Sequence, residues 1–270
     1  MTIAGSDPSG GAGLQADLKT FAALGVYGLS IPTAIIAQNS IRVSRVVAVD
    51  ADLVTAQIET MVSERTPDAL KTGALGSAEI VRSVAEAIQS LHLPAPVVDP
   101  VLLSSSGARL LEPKGEQALC DLLMPLARIV TPNLPEAELL SAMEIDGPRA
   151  MRAAARAIRR RGARAVVIKG GHPFRGSEDK LPDRIIDLLY DGHHFIELSG
   201  RRIPGGGAHG TGCAFAAAIA AHLARGSDIE AAVRGARKFV ARALRHGFLL
   251  GAGRTILDHF AGAGSAKHRP

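Results

Sequence analysis

One cysteine stands where a glycine loop meets a helix. In GGGAHGTGCAFAAAIAAHLARG, Gly205 to Gly226, Cys213 follows Gly210, Thr211 and Gly212 and opens an alanine-rich segment. A glycine loop running into a helix N-terminus aims several backbone N–H groups at one spot. That is a cradle for a phosphate, or for negative charge that develops during a transfer. A helix N-terminus also favours a thiolate, so the position is expected to lower the pKa of Cys213 and let it take a proton from a substrate hydroxyl. The plainer reading is a small residue closing a helix against a sheet; the glycines in front favour the first. Cys120 lies among Leu119, Leu122 and Leu123 and reads as core.

Other chemically capable residues fall at ends of strand-like runs, and each has a plain reading beside the functional one. The glycines of AGSDPSGGAG, Ala4 to Gly13, admit the close approach of a ligand or simply form a tight turn. No Gly-Lys-Ser/Thr follows, so this is not a Walker loop. Gln38 ends LSIPTAIIAQ, and its amide both donates and accepts, which suits the edge of a nitrogen heterocycle or a loop cap. Asp99 before Pro100 is a carboxylate for a hydrated magnesium ion, or a turn. Asn133 and Glu136 are three apart in TPNLPEAELL, which serves magnesium or its water shell, or starts a helix. Lys169 ends AVVIKGG as a cation beside two glycines, or as a solvated lysine.

The elements that would position these residues alternate. Helical spacing of Leu14, Leu18, Phe21 and Leu24 follows a very short first strand at Thr2 to Ala4. LSIPTAIIAQ reads as a buried strand, DADLVTAQIETMVSER as a helix capped by Asp50 or Asp52, and DALKTG as a strand. SAEIVRSVAEAIQSL capped by Ser77, APVVDPV, GEQALCDLLMPLA, RIVTPN, two further helices and ARAVVIKGG continue the pattern. DRIIDLLYDGHHFIELSG reads as a hairpin turned at Asp191-Gly192 in type I′ geometry, followed by two final helices. The expected fold class is α/β: three layers, a mostly parallel central sheet with helices on both faces, in one domain over residues 1–270. Such sheets bind ligands beyond the carboxyl ends of their strands, where these residues fall.

The bulk composition narrows the classes. Hydrophobic residues are 47% and charged residues 21% of 270, a globular composition. The net charge of +5 fits anionic substrates, and with aromatics at 3% and no Trp, base stacking on aromatic platforms is disfavoured. The arginines of PRAMRAAARAIRRR (Arg152, Arg156, Arg159 and Arg160) read as a solvated face rather than a nucleic-acid surface. Two distant cysteines, a start with no signal-peptide pattern and no span-length apolar run lead to the expectation of a cytoplasmic protein with neither membrane nor nucleic-acid partner.

Taken in order, AGSDPSGGAGLQADLKTFAALGVYG, TAIIAQNS, KTGALGS, VVDPVLLSSSG, TPNLPEAELL, VVIKGGH, HGTGC and LDHF resemble the hydroxymethylpyrimidine/phosphomethylpyrimidine kinases of the ribokinase-like superfamily. The resemblance covers nearly the whole chain. It implies ATP and Mg2+ as cofactors and phosphorylation of a small aminopyrimidine alcohol and of its monophosphate, by a homodimer. It casts Cys213 where most of the superfamily has an aspartate base, with Gly210, Thr211 and Gly212 as the anion hole. Gln38 would hydrogen-bond the aminopyrimidine, with Gly5, Asp7, Ala12, Asp17, Ala74 and Val101 lining its pocket. Asp99, Asn133 and Glu136 would organise magnesium, through water, and phosphates; Lys169 would sit near the ATP phosphates. The chain departs from the family pattern at Ala74, often methionine, at Leu103, Ser104 and Ser105, and at Gly207-Ala208 before HGTGC. Pyridoxal kinases of the same fold are a second reading, and a non-catalytic ligand-binding relative a third.

Overall fold

Apolar strands alternate with amphipathic helices, and the structure turns that alternation into a nine-stranded sheet. It is a computed structural model that describes residues 1–103, 109–174, 183–203, 208–251 and 253–261. Ser104, Ser105 and Gly205 to Gly207 lie outside the described residues. The strands are β1 (Thr2–Ser6), β2 (Ser30–Gln38), β3 (Val43–Ala48), β4 (Lys71–Thr72), β5 (Val97–Val98), β6 (Ile129–Val130), β7 (Val166–Ile168), β8 (Arg184–Tyr190) and β9 (Phe195–Arg201). The sheet order is β3-β2-β1-β4-β5-β6-β7-β8-β9. Pairing is parallel from β2 through β7 and antiparallel at β2–β3, β7–β8 and β8–β9. A separate short hairpin joins β10 (Phe248–Leu249) to β11 (Thr255–Ile256).

The chain leaves β1 for β2 through α1 (Gly13–Ala23), then recrosses to β4 on the other side of β1 through α2 (Ala51–Glu64). This reversal opens a crevice at the carboxyl end of β1. One face of the sheet carries α2, α3 (Ala78–Ser90), α4 (Pro113–Ala118), α5 (Leu134–Ser141) and α6 (Pro148–Arg159). The other carries α1, α7 (Thr211–Ala224) and α8 (Ile229–Arg245). The three-layer α/β architecture is the expected one. Ser77 and Asp228 cap α3 and α8 by accepting from Ile80 N–H and Ala231 N–H at 3.3 and 2.7 Å. Helix α7 is buried all round from Ala214 to Ala221, which its alanines permit by letting α1, α8 and the sheet close on it.

Five local expectations are corrected. Asp50 occupies the N-cap of α2 but makes no side-chain cap bond, and Asp52 lies in the first turn. The strand β2 is not buried throughout: Ile35 and Ala37 are exposed, because its outer neighbour is the exposed β3. The sequence reading has no strand at β3, whose Ser44 and Arg45 break the apolar run. GEQALCDLLMPLA is not one regular helix: α4 runs into a π turn at Leu119–Leu123 and a 3-10 turn at Met124–Leu126. The β8–β9 hairpin is no two-residue type I′ turn, since Tyr190 pairs with Phe195 and leaves four residues between them. Asp191 Oδ1 accepts from His193 N–H and His194 N–H at 2.7 Å each, an Asx turn that replaces the expected geometry.

The α6 arginines are not simply solvated. Arg152 pairs with Glu197 at 2.8 Å, and the guanidiniums of Arg152 and Arg156 lie 5.3 and 4.8 Å from the Phe195 ring centre. They brace the hairpin against the helix. Cys120 packs on the core as expected, and burial raises its thiol pKa. Among the described residues no helix is long and apolar enough to cross a membrane.

Candidate active site

Parallel pairing brings Asp99, Thr131 and Lys169 together as the first residues beyond their strands. Asp99 N–H, Thr131 N–H and Lys169 N–H continue the ladder onto Thr72, Val98 and Pro132 carbonyls at 3.0, 3.0 and 2.9 Å. Their side chains then meet: Asp99 Oδ1 accepts from Thr131 Oγ1 at 2.9 Å and from Lys169 Nζ at 3.0 Å. Lys169 is therefore not a solvated lysine; its side chain is 18% exposed. Burial lowers its pKa, but Asp99 and Glu136 outweigh that and raise it, so it stays an ammonium.

Two glycine loops interlock beside this cluster. Asp7 Oδ2 accepts from Ala12 N–H at 2.9 Å and Ser9 Oγ at 2.8 Å, and lies 2.8 Å from His209 Nε2. Burial opposes the Asp7 charge, but the bonds from His209 and Ser9 overcome it and bring the pKa to about 2. The Asp7 carboxylate thus shapes its own loop and is buried. Gly210 has φ +82, and a Cβ there would land on the Gly11 carbonyl oxygen, so only glycine fits. A Cβ on Gly11 would in turn come 2.7 Å from His209 Cδ2. His209 N–H donates to Thr255 O at 2.9 Å, tying the loop to β11.

Cys213 follows in the first turn of α7, partly exposed, with the Gly13 N–H at the start of α1 directed to its sulfur. A Cβ on its neighbour Gly212 would lie 3.2 Å from Lys169 Nζ and 3.8 Å from Asp99 Oδ2, so the bare glycine backbone opens onto that ion pair. The expected lowering of the thiol pKa is overturned. Burial raises it to about 11, Asp99 and Asp17 add to the rise, and Lys71 and the Gly13 N–H only moderate it. At neutral pH Cys213 is a thiol.

Asn133 and Glu136 form a reciprocal capping box on α5. Asn133 Oδ1 accepts from Glu136 N–H at 2.8 Å, and Glu136 Oε2 accepts from Asn133 N–H at 2.9 Å. Glu136 Oε1 also takes Leu102 N–H at 3.3 Å, fastening the loop after β5. Burial raises the Glu136 pKa against the pull of Lys169. In that loop Val101 has φ 44, a strained backbone for a β-branched residue. Gln38 ends β2 partly exposed, and Gly5 lies between Ile36 and Ala74, its added Cβ coming 3.0 and 3.6 Å from them. Ala12 caps α1.

Asp17 does not line an opening. It is fully buried, with Oδ2 2.7 Å from Lys71 Nζ and 2.6 Å from Thr2 Oγ1. Lys71, His209 and Thr131 are site residues that the sequence reading does not single out. A signal existed for the first pair: Asp17 falls on the apolar stripe of Leu14, Leu18 and Phe21, and Lys71 interrupts a buried strand.

The chain is similar to known proteins along nearly its whole length. The phosphomethylpyrimidine kinase family model matches residues 7–258. Hydroxymethylpyrimidine/phosphomethylpyrimidine kinase of Rhizobium meliloti is 44% identical over 96% of each chain. The thiamine biosynthesis bifunctional protein ThiED of Geobacter sulfurreducens is 40% identical over 100% of this chain, which spans 54% of that longer protein. Among solved structures, pyridoxal kinase from Staphylococcus aureus in complex with AMP-PCP and pyridoxal has TM-score 0.86 at 39% identity, over 97% of this chain and 93% of that one. Phosphomethylpyrimidine kinase from Clostridium difficile has TM-score 0.78 at 37% identity, over 90% and 97%. The interlocked glycine loops, the Lys169–Asp99 pair beside them and a match along nearly the whole chain make this a phosphotransferase, a member of the phosphomethylpyrimidine kinase family.

Proposed function

We propose that this chain transfers phosphate from ATP to the hydroxymethyl group of 4-amino-5-hydroxymethyl-2-methylpyrimidine, and then phosphorylates the monophosphate to the diphosphate, in thiamine biosynthesis. The names of its relatives support that substrate class. The observation that carries the reading is the meeting of three features: the Gly210–Gly212 backbone, the Cys213 thiol and the Lys169–Asp99 pair. Phosphoryl transfer demands positioning and charge stabilisation more than covalent help, and these groups supply both. The backbone N–H groups that open α7 receive negative charge, and Lys169 neutralises phosphate oxygens. Cys213, in its thiolate form, accepts the substrate hydroxyl's hydrogen bond and then its proton. Gln38 pairs with the aminopyrimidine edge, over a floor of Gly5, Ala12, Ala74 and Val101; Asp7 and Asp17 act from behind it.

Magnesium fits as a hydrated ion. Among the described residues no group of three or more His, Cys, Asp or Glu side chains could hold a metal directly. Both Glu136 oxygens and Asn133 Oδ1 already accept backbone N–H groups, while Asp99 keeps Oδ2 outside its bonds to Thr131 and Lys169. Asp99, Asn133 and Glu136 would hold such an ion through its water, and when bound it would neutralise phosphate charge. The chain acts as one kinase domain in the cytoplasm, as a homodimer.

Pyridoxal is the second reading, favoured by the likeness to pyridoxal kinases and by Ala74, whose small side chain leaves room over the substrate ring. ADP release with ATP and magnesium, offered hydroxymethylpyrimidine, its monophosphate and pyridoxal in parallel, separates the two. Turnover of both pyrimidines with slow pyridoxal is expected. Preference for pyridoxal would transfer the assignment, and no turnover of any would remove the kinase reading.

A further inference from the structure

A charge pair lies beneath the site where nothing in the transfer has yet called for one. Lys71 and Asp17 are both 0% exposed, and Lys71 Nζ sits 2.7 Å from Asp17 Oδ2. The pair is poorly completed: Asp17 Oδ1 is buried without a hydrogen-bond partner among the described residues. Such a pair is a weak source of stability, because desolvation of two charges and an orphan acceptor offsets the attraction, and two apolar side chains would serve the core as well. Its position suggests a different use. On α1, Gly13 and Asp17 are four residues apart and so share one face. Gly13 directs its N–H to the Cys213 sulfur, and Asp17 one turn further on holds Lys71. Helix α7, which carries Cys213, packs on both α1 and β4.

We propose that the buried ammonium of Lys71, anchored by Asp17, is the counter-charge against which Cys213 works, which makes Lys71 a positioning residue of the transfer. This rests on the reading of Cys213 as proton acceptor. Four charged groups lie near enough to act on the thiol through space: Lys71 from β4, Asp17 from α1, Asp99 beyond β5 and Lys169 beyond β7. Lys169 lies at the opening and is taken up with Asp99. Lys71 is the cation that a phosphate cannot draw away, since it is sealed in the core. The site then has a mobile-facing cation for the phosphates and a fixed one for the base.

The test is Lys71→Met, read first by the alkylation of Cys213 with iodoacetamide between pH 7.5 and 9.5, resolved by peptide mass spectrometry. Loss of the cation is expected to slow Cys213 alkylation roughly 10-fold, as the thiolate becomes rarer, with Cys120 as an unaffected internal reference. The kcat should fall while the KM for ATP holds. A role in packing alone would loosen the core and speed alkylation at both cysteines. An unchanged or faster Cys213 rate overturns the proposal. If Lys71→Met does not fold, Asp17→Asn/Lys71→Met leaves no orphan charge and carries the same test: slower Cys213 alkylation supports the proposal, and an equal or faster rate rejects it. Failure of the base reading shows separately, as wild-type turnover in Cys213→Ala.

Discussion

A thiol with a pKa of about 11 is rarely ionised at neutral pH, and in the proposed transfer, with Cys213 as base, this sets when the proton moves. The substrate hydroxyl becomes acidic only as its oxygen bonds to phosphorus, so the proton moves late, into a thiolate population that grows with pH. We expect kcat/KM to rise with pH through 7 to 9 without a plateau. Cys213→Ala should abolish that rise and lower kcat roughly 10²–10⁴-fold, the usual worth of a general base; steady-state assays across pH check both. Asp7 gives a second prediction at this scale. Its carboxyl is depressed from 3.8 to about 2, so its stabilising effect is complete above pH 4 and is lost as pH falls through 2. Asp7→Asn should cost about 2 kcal/mol at neutral pH and flatten this part of the acid limb, measured by urea melts at pH 7 and pH 3.

At the scale of elements, glycines 210 and 212 stand two residues apart and answer to different constraints. Gly210→Ala would combine a positive φ with a collision against backbone, and should destabilise the fold by about 1–3 kcal/mol while abolishing turnover. A Cβ on Gly212 meets the flexible tip of Lys169 and, at ordinary contact distance, Asp99 Oδ2, so Gly212→Ala should leave the melting temperature within a degree or two and raise the KM for ATP. Thermal melts and kinetics on the two variants separate a loop held by geometry from a loop that serves a ligand. The alternation of elements, the placing of polar residues at strand ends and the glycine loops were legible in the sequence, because period and glycine content are local properties. The Asp7–His209 bond was not, since it joins residues 202 positions apart. Nor was the thiol's raised pKa: the helix N-terminus is visible in sequence, while the burial and the two aspartates that overcome it come from other elements. The edge strand β3 was hidden for a related reason, since an exposed strand has no apolar alternation to show.

At the scale of the whole molecule, β2 and β3 leave an apolar strip. Ile35 and Val47 pair across the two strands, both exposed, and Ile41 between the strands is exposed too. The strip is the surface on which we expect the proposed homodimer to form, since an edge of this kind otherwise invites unspecific association. Ile35→Asp/Val47→Asp should convert the dimer to a monomer in sedimentation velocity while the far-ultraviolet circular dichroism stays unchanged. A wild-type monomer would remove the dimer from the functional account.

The contact between His209 and Asp7 also sets an order of events during synthesis. The strand β1 is central to the sheet, yet its loop is clasped by residues 209 and 255–256. A nascent chain can pair β1 with β2 and β4 long before those partners leave the ribosome, at about 5–20 residues per second. For that interval the chain owns a sheet without a catalytic centre, and the loop of Asp7 stays open to proteases. Chemistry arrives late, with the final fifth of the described chain.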